Sequence, residues 1–213
     1  MGLNSGIDTL VPLLYTLEKI REVVEEIHMG DRVCPFWVGY LLLNPLRKLL
    51  ENPNKILAPF VREGMIVLEP GCGMGYFTLP LARMVGSRGK VIVVEVQAKM
   101  LAALEKRARK ANLLDRIECR QTKSEGLGVA DFFEQVDLAV AIHMVHEVSE
   151  QTFFFEEVWK ALKLGGKLLV IEPRGHVSRA QFEQTLKAAE NKGFRQDPHP
   201  GKLGSRSGLL VKL

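Results

Sequence analysis

Short runs of hydrophobic, mostly β-branched residues alternate with longer amphipathic stretches from Met65 to the end of the chain. Such runs are typical of strands buried on both faces, and amphipathic stretches of ten or more residues are typical of helices that cover a sheet. The predicted strands are Met65–Glu69, Lys90–Glu95, Ile117–Arg120, Val136–Ile142 and Lys167–Glu172. The predicted helices are Met74–Met84, Ala98–Asn112, Ser149–Leu162 and Ser178–Lys192. The pattern therefore predicts an α/β fold with a parallel sheet covered by helices.

The last part of the chain contains clear local signals. Ser178, followed three residues later by Gln181, forms a capping box that predicts the start of the last helix, and Gly193 is placed at its C′ position. A loop rich in Pro, Gly and Ser, Asp197–Gly208, then separates a short strand from the apolar run Leu209–Leu213. Two strands joined by this loop would pair antiparallel and close the sheet.

Residues 1–56 have a different pattern. Apolar residues recur at helical spacing over Leu10–Ile27, and Asn52-Pro53 predicts a turn or a helix start. We interpret this part as an N-terminal helical extension packed against an α/β domain of residues 57–213. The aromatic-rich stretch Cys34–Tyr40 is expected either to pack against the sheet or to form a lid over a pocket.

The composition is that of a globular protein, because the 213 residues are 46% hydrophobic and 25% charged. The net charge of +4 is mild and spread along the chain, so it does not by itself predict a nucleic-acid or lipid partner. The 3 cysteines include no Cys-x-x-Cys pair, which favours a reducing compartment. No secretory signal is evident, and the longest uncharged apolar stretch, Val33–Leu43, is far shorter than the ~20 residues of a membrane span. We therefore expect a cytoplasmic protein without a membrane span.

The most informative stretch is the turn after the first predicted strand, where Gly71, Gly73 and Gly75 alternate shortly after Glu69. Glycine allows left-handed backbone angles and close approach of a ligand. The G-x-G-x-G spacing differs from the G-x-G-x-x-G turn that binds a pyrophosphate. Glu95 ends the second strand, where a carboxylate can accept hydrogen bonds from both hydroxyls of a ribose. An acidic residue in the turn favours a ligand with a cationic amino-acid end, because it would repel a diphosphate.

With these motifs in this order, residues 57–213 resemble the class I S-adenosylmethionine-dependent methyltransferases. Glu69–Gly75 resembles the first motif of the family, and Val91–Gln97 resembles its second strand with the ribose-binding acid. Val136–His143 resembles the fourth strand, and Leu162–Pro173 resembles a turn followed by the fifth strand. The resemblance implies a three-layer Rossmann-like fold with a sheet of seven mostly parallel strands, the last of them antiparallel. It also implies S-adenosylmethionine as cofactor and S-adenosylhomocysteine as product.

The resemblance also implies a position for each part of the cofactor. The glycine turn would hold the methionine part, Glu95 would hold the ribose, and the residues after the second and third strands would lie beside the adenine. After the third strand, where many small-molecule relatives carry an acidic residue followed by Ala, this chain departs from the pattern with Lys123-Ser124. The implied cofactor-binding residues are Glu69, Gly71, Cys72, Gly73, Gly75, Tyr76, Glu95, Val96, Gln97, Lys123, Ser124 and His143.

The fourth strand is followed by two imidazoles, His143 and His146, and by Glu147. Ligands bind open α/β sheets at the carboxyl ends of the strands, which is where these residues are expected. Methyl transfer from a sulfonium is an in-line displacement, and a base is needed only where the nucleophile carries a proton. The predicted catalytic residues are His146, a base with Glu147 as its orienting partner, and His143, which also lines the cofactor. The alternative is that each histidine only caps or packs at a helix start.

No metal site is predicted, because His143-x-x-His146-Glu147 lacks the spacing of a zinc-binding H-E-x-x-H helix and no cysteine or acidic cluster completes it. Arg174–His176, at the same edge of the sheet, is either a binding site for an anionic acceptor or a solvated loop.

The predicted function is methyl transfer from S-adenosylmethionine to a small-molecule acceptor. Methylation of RNA or protein is one alternative, although the fourth strand ends in Ile-His-Met-Val and not in the Asn/Asp-Pro-Pro-aromatic box of amino-group methyltransferases. A non-catalytic S-adenosylmethionine-binding protein is another, and a nicotinamide-dependent dehydrogenase is disfavoured by the glycine spacing. No nucleic-acid partner is expected, and association into a homodimer is left open.

Overall fold

The computed structural model describes residues 43, 47, 51–122, 126–198 and 206–213. The helices in these ranges are α1 (Pro53–Leu57), α2 (Thr78–Met84), α3 (Ala98–Lys110), α4 (Gln151–Ala161) and α5 (Arg179–Glu190). The strands are β1 (Ile66–Pro70), β2 (Lys90–Glu95), β3 (Ile117–Gln121), β4 (Val136–Ile142), β5 (Leu162–Ile171), β6 (Phe194–Gln196) and β7 (Ser207–Lys212). The predicted helix Leu10–Ile27 and the stretch Cys34–Tyr40 lie outside the described residues.

The strands form one sheet of 7 strands in the order β3-β2-β1-β4-β5-β7-β6. Strands β1 to β5 run parallel, and β7 pairs antiparallel with both β5 and β6. The predicted Rossmann-like sheet, mostly parallel with a reversed last strand, is confirmed. Strand β1 lies between β2 and β4, so the strands that follow it in sequence are added first on one side of β1 and then on the other. This reversal of strand order opens a crevice at the carboxyl end of β1.

Burial on both faces explains the hydrophobic strands. Val67 and Leu68 of β1 are fully buried and belong to opposite faces of the sheet. The face of Leu68 packs against α4 and α5, for example through Phe155. The face of Val67 packs against α2 and α3, for example through Leu104. The result is the predicted arrangement of three layers, with helices on both sides of the sheet.

The helix after the glycine turn begins later than predicted, at Thr78 and not at Met74. Gly73 and Gly75 have φ angles of +51° and +83°. These angles are in the left-handed region, which a right-handed α-helix cannot contain. The predicted start at Met74 is therefore wrong, and the segment before Thr78 belongs to the turn.

The fifth strand begins earlier than predicted, at Leu162 and not at Lys167. Leu162 pairs with Val136, and Lys167 pairs with Leu138. Strand β5 therefore has several more residues between these two pairings than β4 has. Gly165 has a φ of +75° within this irregularity, which resembles a bulge. The glycines interpreted as a turn therefore interrupt the register of the strand without ending it.

Two helix starts follow the local sequence. Ser178 Oγ accepts a hydrogen bond from the Gln181 N–H and Gln181 Oε1 accepts one from the Ser178 N–H, so the predicted capping box of α5 is confirmed. Asn52 Oδ1 caps α1 by accepting from two backbone N–H groups. Gly193 has a left-handed φ of +98° but lies two positions beyond the cap residue Asn191, so α5 ends earlier than predicted.

The boundary predicted between residues 56 and 57 falls inside α1. Leu57 at the end of this helix is fully buried against the sheet domain. The helical extension before it stays a prediction. Within the ranges that the structure describes, no helix combines the length and the apolar character needed to cross a membrane.

Candidate active site

A cavity of about 410 Å³ opens at the carboxyl ends of the parallel strands. Its walls are formed by segments that follow β1, β2, β4 and β5 and by the start of α4. The residues predicted from sequence that line it are Glu69, Gly71, Cys72, Gly73, Tyr76, Glu95, Val96, Gln97, His143 and His146. Gly75 is not part of the wall, and Lys123 and Ser124 lie outside the described residues.

The glycines of the turn serve different purposes. A Cβ on Gly71 would lie 2.8 Å from Met144 Cβ, and a Cβ on Gly75 would collide with Leu104 of α3. A Cβ on Gly73, which lines the cavity, would meet no described atom within 4 Å. Gly71 therefore allows close packing against Met144 and Gly75 allows close packing against α3, whereas Gly73 leaves the wall open to a ligand.

The three glycine N–H groups donate hydrogen bonds inside the protein. The acceptors are the carbonyl of Val94 (2.8 Å from Gly71 N), Glu95 Oε2 (3.0 Å from Gly73 N) and the carbonyl of Cys72 (3.0 Å from Gly75 N). Arg107 of α3 donates to the carbonyl of Met74, which supports the turn from outside. Burial, together with nearby carboxylates, raises the pKa of the Cys72 thiol well above its ordinary value, so this side chain fills space as a neutral thiol.

Glu95 joins the end of β2 to the glycine turn. Its Oε1 accepts hydrogen bonds from the Val96 N–H at 2.8 Å and the Gln97 N–H at 3.0 Å, while Oε2 accepts the one from Gly73. The residue is buried but lines the cavity. Three backbone donors therefore fix the carboxylate at the cavity wall, in direct contact with the turn.

Glu69, the penultimate residue of β1, is the second carboxyl group of this part of the cavity wall. It is buried, and its Oε2 has no hydrogen-bond partner among the described residues. Burial, reinforced by the charge of Glu95, raises the pKa of Glu69 to about 8. A buried carboxyl oxygen without a donor is costly, so this wall suits a ligand that brings a cationic amino group.

These carboxyl groups fit S-adenosylmethionine, the cofactor that the sequence resemblance implies. The unpartnered Oε2 of Glu69 suits the ammonium group of the methionine part, and Glu95 suits the ribose hydroxyls. Val96 and Gln97 line the cavity directly after Glu95, where the adenine is expected. The residues present are therefore chemically suited to this group.

His146 is held most closely by Glu172, while Glu147, the partner expected from the sequence, lies farther from its ring. Its Nδ1 lies 2.6 Å from Glu172 Oε2, and its backbone N–H donates to Glu172 Oε1 at 3.0 Å. Glu147 Oε1 is 4.0 Å from the other ring nitrogen, Nε2. Although burial lowers it, the hydrogen bond and the charge of Glu172 raise the pKa of His146 above its ordinary value. Glu172 is therefore the closer carboxylate, and the orienting role expected of Glu147 stays a prediction.

The sheet explains why Glu172 reaches His146. Strands β4 and β5 are parallel neighbours, with Ile142 opposite Ile171, so the residues that follow them meet at one edge. The Glu172 side chain is 1% exposed, which keeps its carboxylate in place. The signal available in the sequence was its position as the last residue of a predicted strand that neighbours the fourth in this fold. The ring of His176, in the next loop, stacks on the ring of His146 with centroids 6.2 Å apart.

His143 belongs to a separate cluster formed with residues that precede α1. Its Nε2 lies 3.1 Å from Glu51 Oε1, and its Nδ1 lies 3.3 Å from Arg47 Nη2. Arg47 also pairs with Glu51 at 2.7 Å and stacks over the ring of Tyr76 at 4.3 Å. Although burial raises it, His143 and Arg47 hold the pKa of Glu51 below its ordinary value. Nothing in the sequence pattern marks Arg47 or Glu51, because isolated charges before a helix usually face solvent.

Apolar side chains form much of the remaining cavity wall. Val148 and Pro173 follow β4 and β5, and Phe153 at the start of α4 is 46% exposed. Arg174, which the sequence suggested for an anionic acceptor, is exposed and does not line the cavity. This wall therefore suits a partly apolar acceptor. Among the described residues, no group of His, Cys, Asp and Glu side chains is arranged to hold a metal ion.

Comparison with known proteins agrees with this geometry. A family profile described as a methyltransferase domain matches residues 68–170. The ubiquinone/menaquinone biosynthesis C-methyltransferase UbiE of Erwinia tasmaniensis is 28% identical over 144 residues, which are 67% of this chain and 55% of that protein. The chain thus spans little more than half the length of this curated relative.

Solved structures extend the likeness to the whole fold. The crystal structure of a S-adenosylmethionine-dependent methyltransferase from Aquifex aeolicus matches with a TM-score of 0.71 and 25% identity, covering 84% of this chain and 97% of that one. An O-methyltransferase from Thermotoga maritima matches with a TM-score of 0.60 and 21% identity, covering 81% of this chain and 71% of that one, and shows the shared fold alone. The profile, the curated relative and the Aquifex structure agree in supporting a class I S-adenosylmethionine-dependent methyltransferase.

Proposed function

We propose that this chain transfers a methyl group from S-adenosylmethionine to a small, partly apolar acceptor, with His146 as the base. The observation that carries the proposal is a single cavity lined both by Glu95, which contacts the glycine turn, and by His146, which Glu172 orients. The part of the wall with Glu95 suits the cofactor, and the part with His146 suits an acceptor group that loses a proton. Such a division is what methyl transfer to a protonated nucleophile needs.

The residues have separate tasks in the proposed reaction. S-adenosylmethionine supplies an electrophilic methyl group when it is bound. The Glu172 carboxylate accepts a hydrogen bond from the Nδ1–H of His146, which makes Nε2 the basic nitrogen. Nε2 then takes the proton of the acceptor, and the raised pKa of His146 strengthens this base. The apolar wall near Phe153 aligns the acceptor and keeps water out.

The nucleophile is proposed to be a hydroxyl or a carbon activated by one. The name of the curated relative specifies methylation at carbon. A base serves both cases, because removing a proton makes an oxygen nucleophilic and also raises the electron density of a conjugated carbon. The cytoplasm is the proposed location, in line with cysteines that include no Cys-x-x-Cys pair.

Incubation of the protein with a metabolite extract and isotopically labelled S-adenosylmethionine tests the activity. Labelled product, identified by mass, is expected with the wild-type chain and not with boiled protein. Calorimetry with S-adenosylhomocysteine and NAD accompanies the screen. Binding of NAD alone would overturn the proposal in favour of a dehydrogenase, and binding of S-adenosylhomocysteine without turnover across acceptors would indicate a non-catalytic protein.

Glu95→Ala tests the cofactor half of the site. Loss of hydrogen bonds from the ribose to a carboxylate is expected to weaken S-adenosylhomocysteine binding by roughly tenfold or more, the equivalent of ~1.5–3 kcal/mol. Calorimetry measures the change, and Glu63→Ala, a glutamate outside the cavity wall, serves as the control. Equal affinity in Glu95→Ala and wild type would remove the ribose assignment.

A further inference from the structure

The charges on the cavity wall are unbalanced. Its described residues include the carboxyl side chains Glu69, Glu95, Glu147, Glu150 and Glu157. Arg47 is the single Arg or Lys among the described residues of the same wall. A ligand with a carboxylate would meet repulsion from most of this surface and attraction from Arg47.

Arg47 lies at the glycine-turn end of the cavity. Its guanidinium carbon is 4.3 Å from the ring centroid of Tyr76, the residue that directly follows Gly75. The same guanidinium contacts Glu51 through Nε and Nη2 and contacts His143 through Nη2. These contacts fix the plane and position of the group beside the turn, where the methionine part of the cofactor is expected.

The turn itself offers little to a carboxylate. In many ligand-binding turns the glycine N–H groups bind anions. Here the N–H groups of Gly71, Gly73 and Gly75 all donate to acceptors within the protein. The buried Glu69 beside them suits an ammonium group, which favours the ionised form of its carboxyl, and in that form it repels a carboxylate. Recognition of a carboxylate at this end therefore requires another donor.

We propose that Arg47 binds the carboxylate of the methionine part of S-adenosylmethionine, while Glu69 faces the ammonium group. The proposal rests on the proposed function, because it takes the cofactor as given. Each charged group of the amino-acid end would then face a side chain of opposite charge. The proposal also explains why a residue from before α1 reaches the glycine turn. Arg47 would then distinguish the full cofactor from nucleosides that lack the carboxylate.

The test compares S-adenosylmethionine with decarboxylated S-adenosylmethionine, which keeps the ammonium and lacks the carboxylate. Calorimetry gives the affinity of wild type, Arg47→Gln and Arg47→Lys for both ligands. Arg47→Gln is expected to weaken S-adenosylmethionine binding by about tenfold or more, the usual effect of losing a charge-assisted hydrogen bond, and to leave the decarboxylated ligand nearly unchanged. Arg47→Lys, which keeps the charge, is expected to recover part of the loss. Arg174→Gln, an exposed arginine outside the wall, is the matched control.

Equal weakening of both ligands in Arg47→Gln would overturn the proposal, since Arg47 would then only position Glu51 and His143. Unchanged affinity for both ligands would overturn it as well. Failure of the wild-type chain to bind either ligand would instead contradict the proposed function, so the two failures are distinguishable.

Discussion

Two histidine–glutamate pairs lie within a few residues of each other after β4, and they differ in where the glutamate comes from. Glu172 follows the neighbouring strand, and its side chain is 1% exposed. Glu51 precedes α1, is 18% exposed, and also binds Arg47. His146 Nδ1 lies 2.6 Å from Glu172 and its Nε2 lies 4.0 Å from Glu147, whereas the two ring nitrogens of His143 lie 3.1 Å from Glu51 and 3.3 Å from Arg47.

The difference indicates that the same residue types perform two tasks. A buried carboxylate bonded to one imidazole nitrogen fixes the tautomer, so that the opposite nitrogen is the basic one. An imidazole such as that of His143, with charged side chains 3.1 Å and 3.3 Å from its two nitrogens, is suited instead to joining two segments of chain. His146 and Glu172 thus form the proposed base, and His143 and Glu51 tie the residues before α1 to the end of β4.

The sharpest test of this distinction is to remove each imidazole separately. His146→Ala is expected to lower kcat by about 100-fold to 10,000-fold, the usual contribution of a general base. His143→Ala is expected to cost less than about tenfold, the range of a lost hydrogen bond. Steady-state kinetics with the acceptor found in the labelled screen measure both, and S-adenosylhomocysteine affinity shows whether the cofactor site is intact. Full turnover in His146→Ala would dismiss it as the base.

Neutralising the buried carboxylate separates proton transfer from packing. Glu172 raises the pKa of His146, so Glu172→Gln should lower that pKa. Because the neutral imidazole is the active form, the rate rises with pH through this pKa, and the rise should move to lower pH in Glu172→Gln. The plateau should fall by roughly tenfold to a hundredfold, the equivalent of a lost hydrogen bond to a charged group. A pH profile of kcat/KM checks both.

The matched control for this profile is Glu147→Gln, whose carboxylate is 4.0 Å from His146 Nε2 in the wild-type chain. It should shift the profile less, because Glu147 contributes less than Glu172 to the raised pKa of His146. An unchanged profile in Glu172→Gln would reduce Glu172 to a packing role.

The smallest effect is expected from Glu51→Gln. Its carboxylate is partly exposed and its partner His143 is not the proposed base, so kcat should change by less than about fivefold, the equivalent of ~0.5–1 kcal/mol. Steady-state kinetics beside Glu172→Gln give the comparison directly. A loss as large as in Glu172→Gln would mean that the two pairs share the proton-transfer task.

Sequence patterns predicted most of the fold, because its strands and helices are local features. Val136–Ile142 and Lys90–Glu95 have the predicted bounds, since runs buried on both faces are uniformly hydrophobic. The bounds were wrong where backbone angles mattered, as at Gly75 and Gly165, whose left-handed φ cannot be derived from hydrophobicity. The same limit explains why α2 began later and β5 earlier than predicted.

The candidate site was predicted in part. The glycine turn and the acid at the end of β2 are recognisable because a ligand requires these residue types at this spacing. Gly75 was assigned to the ligand along with its neighbours, but it lies against Leu104 and not in the cavity wall. A glycine needed for packing looks the same in sequence as one needed for ligand approach.

The sequence by itself determined the order of the elements, the glycine turn, and the place of both imidazoles after β4, because each is written in residues close together along the chain. Only the tertiary structure decided which carboxylate orients His146 and which cation reaches the turn. Glu172 is 26 residues from His146, and Arg47 is 96 residues from His143. Parallel strand pairing and packing of the segment before α1 bring these groups together, and contacts over such separations leave no local pattern in the sequence.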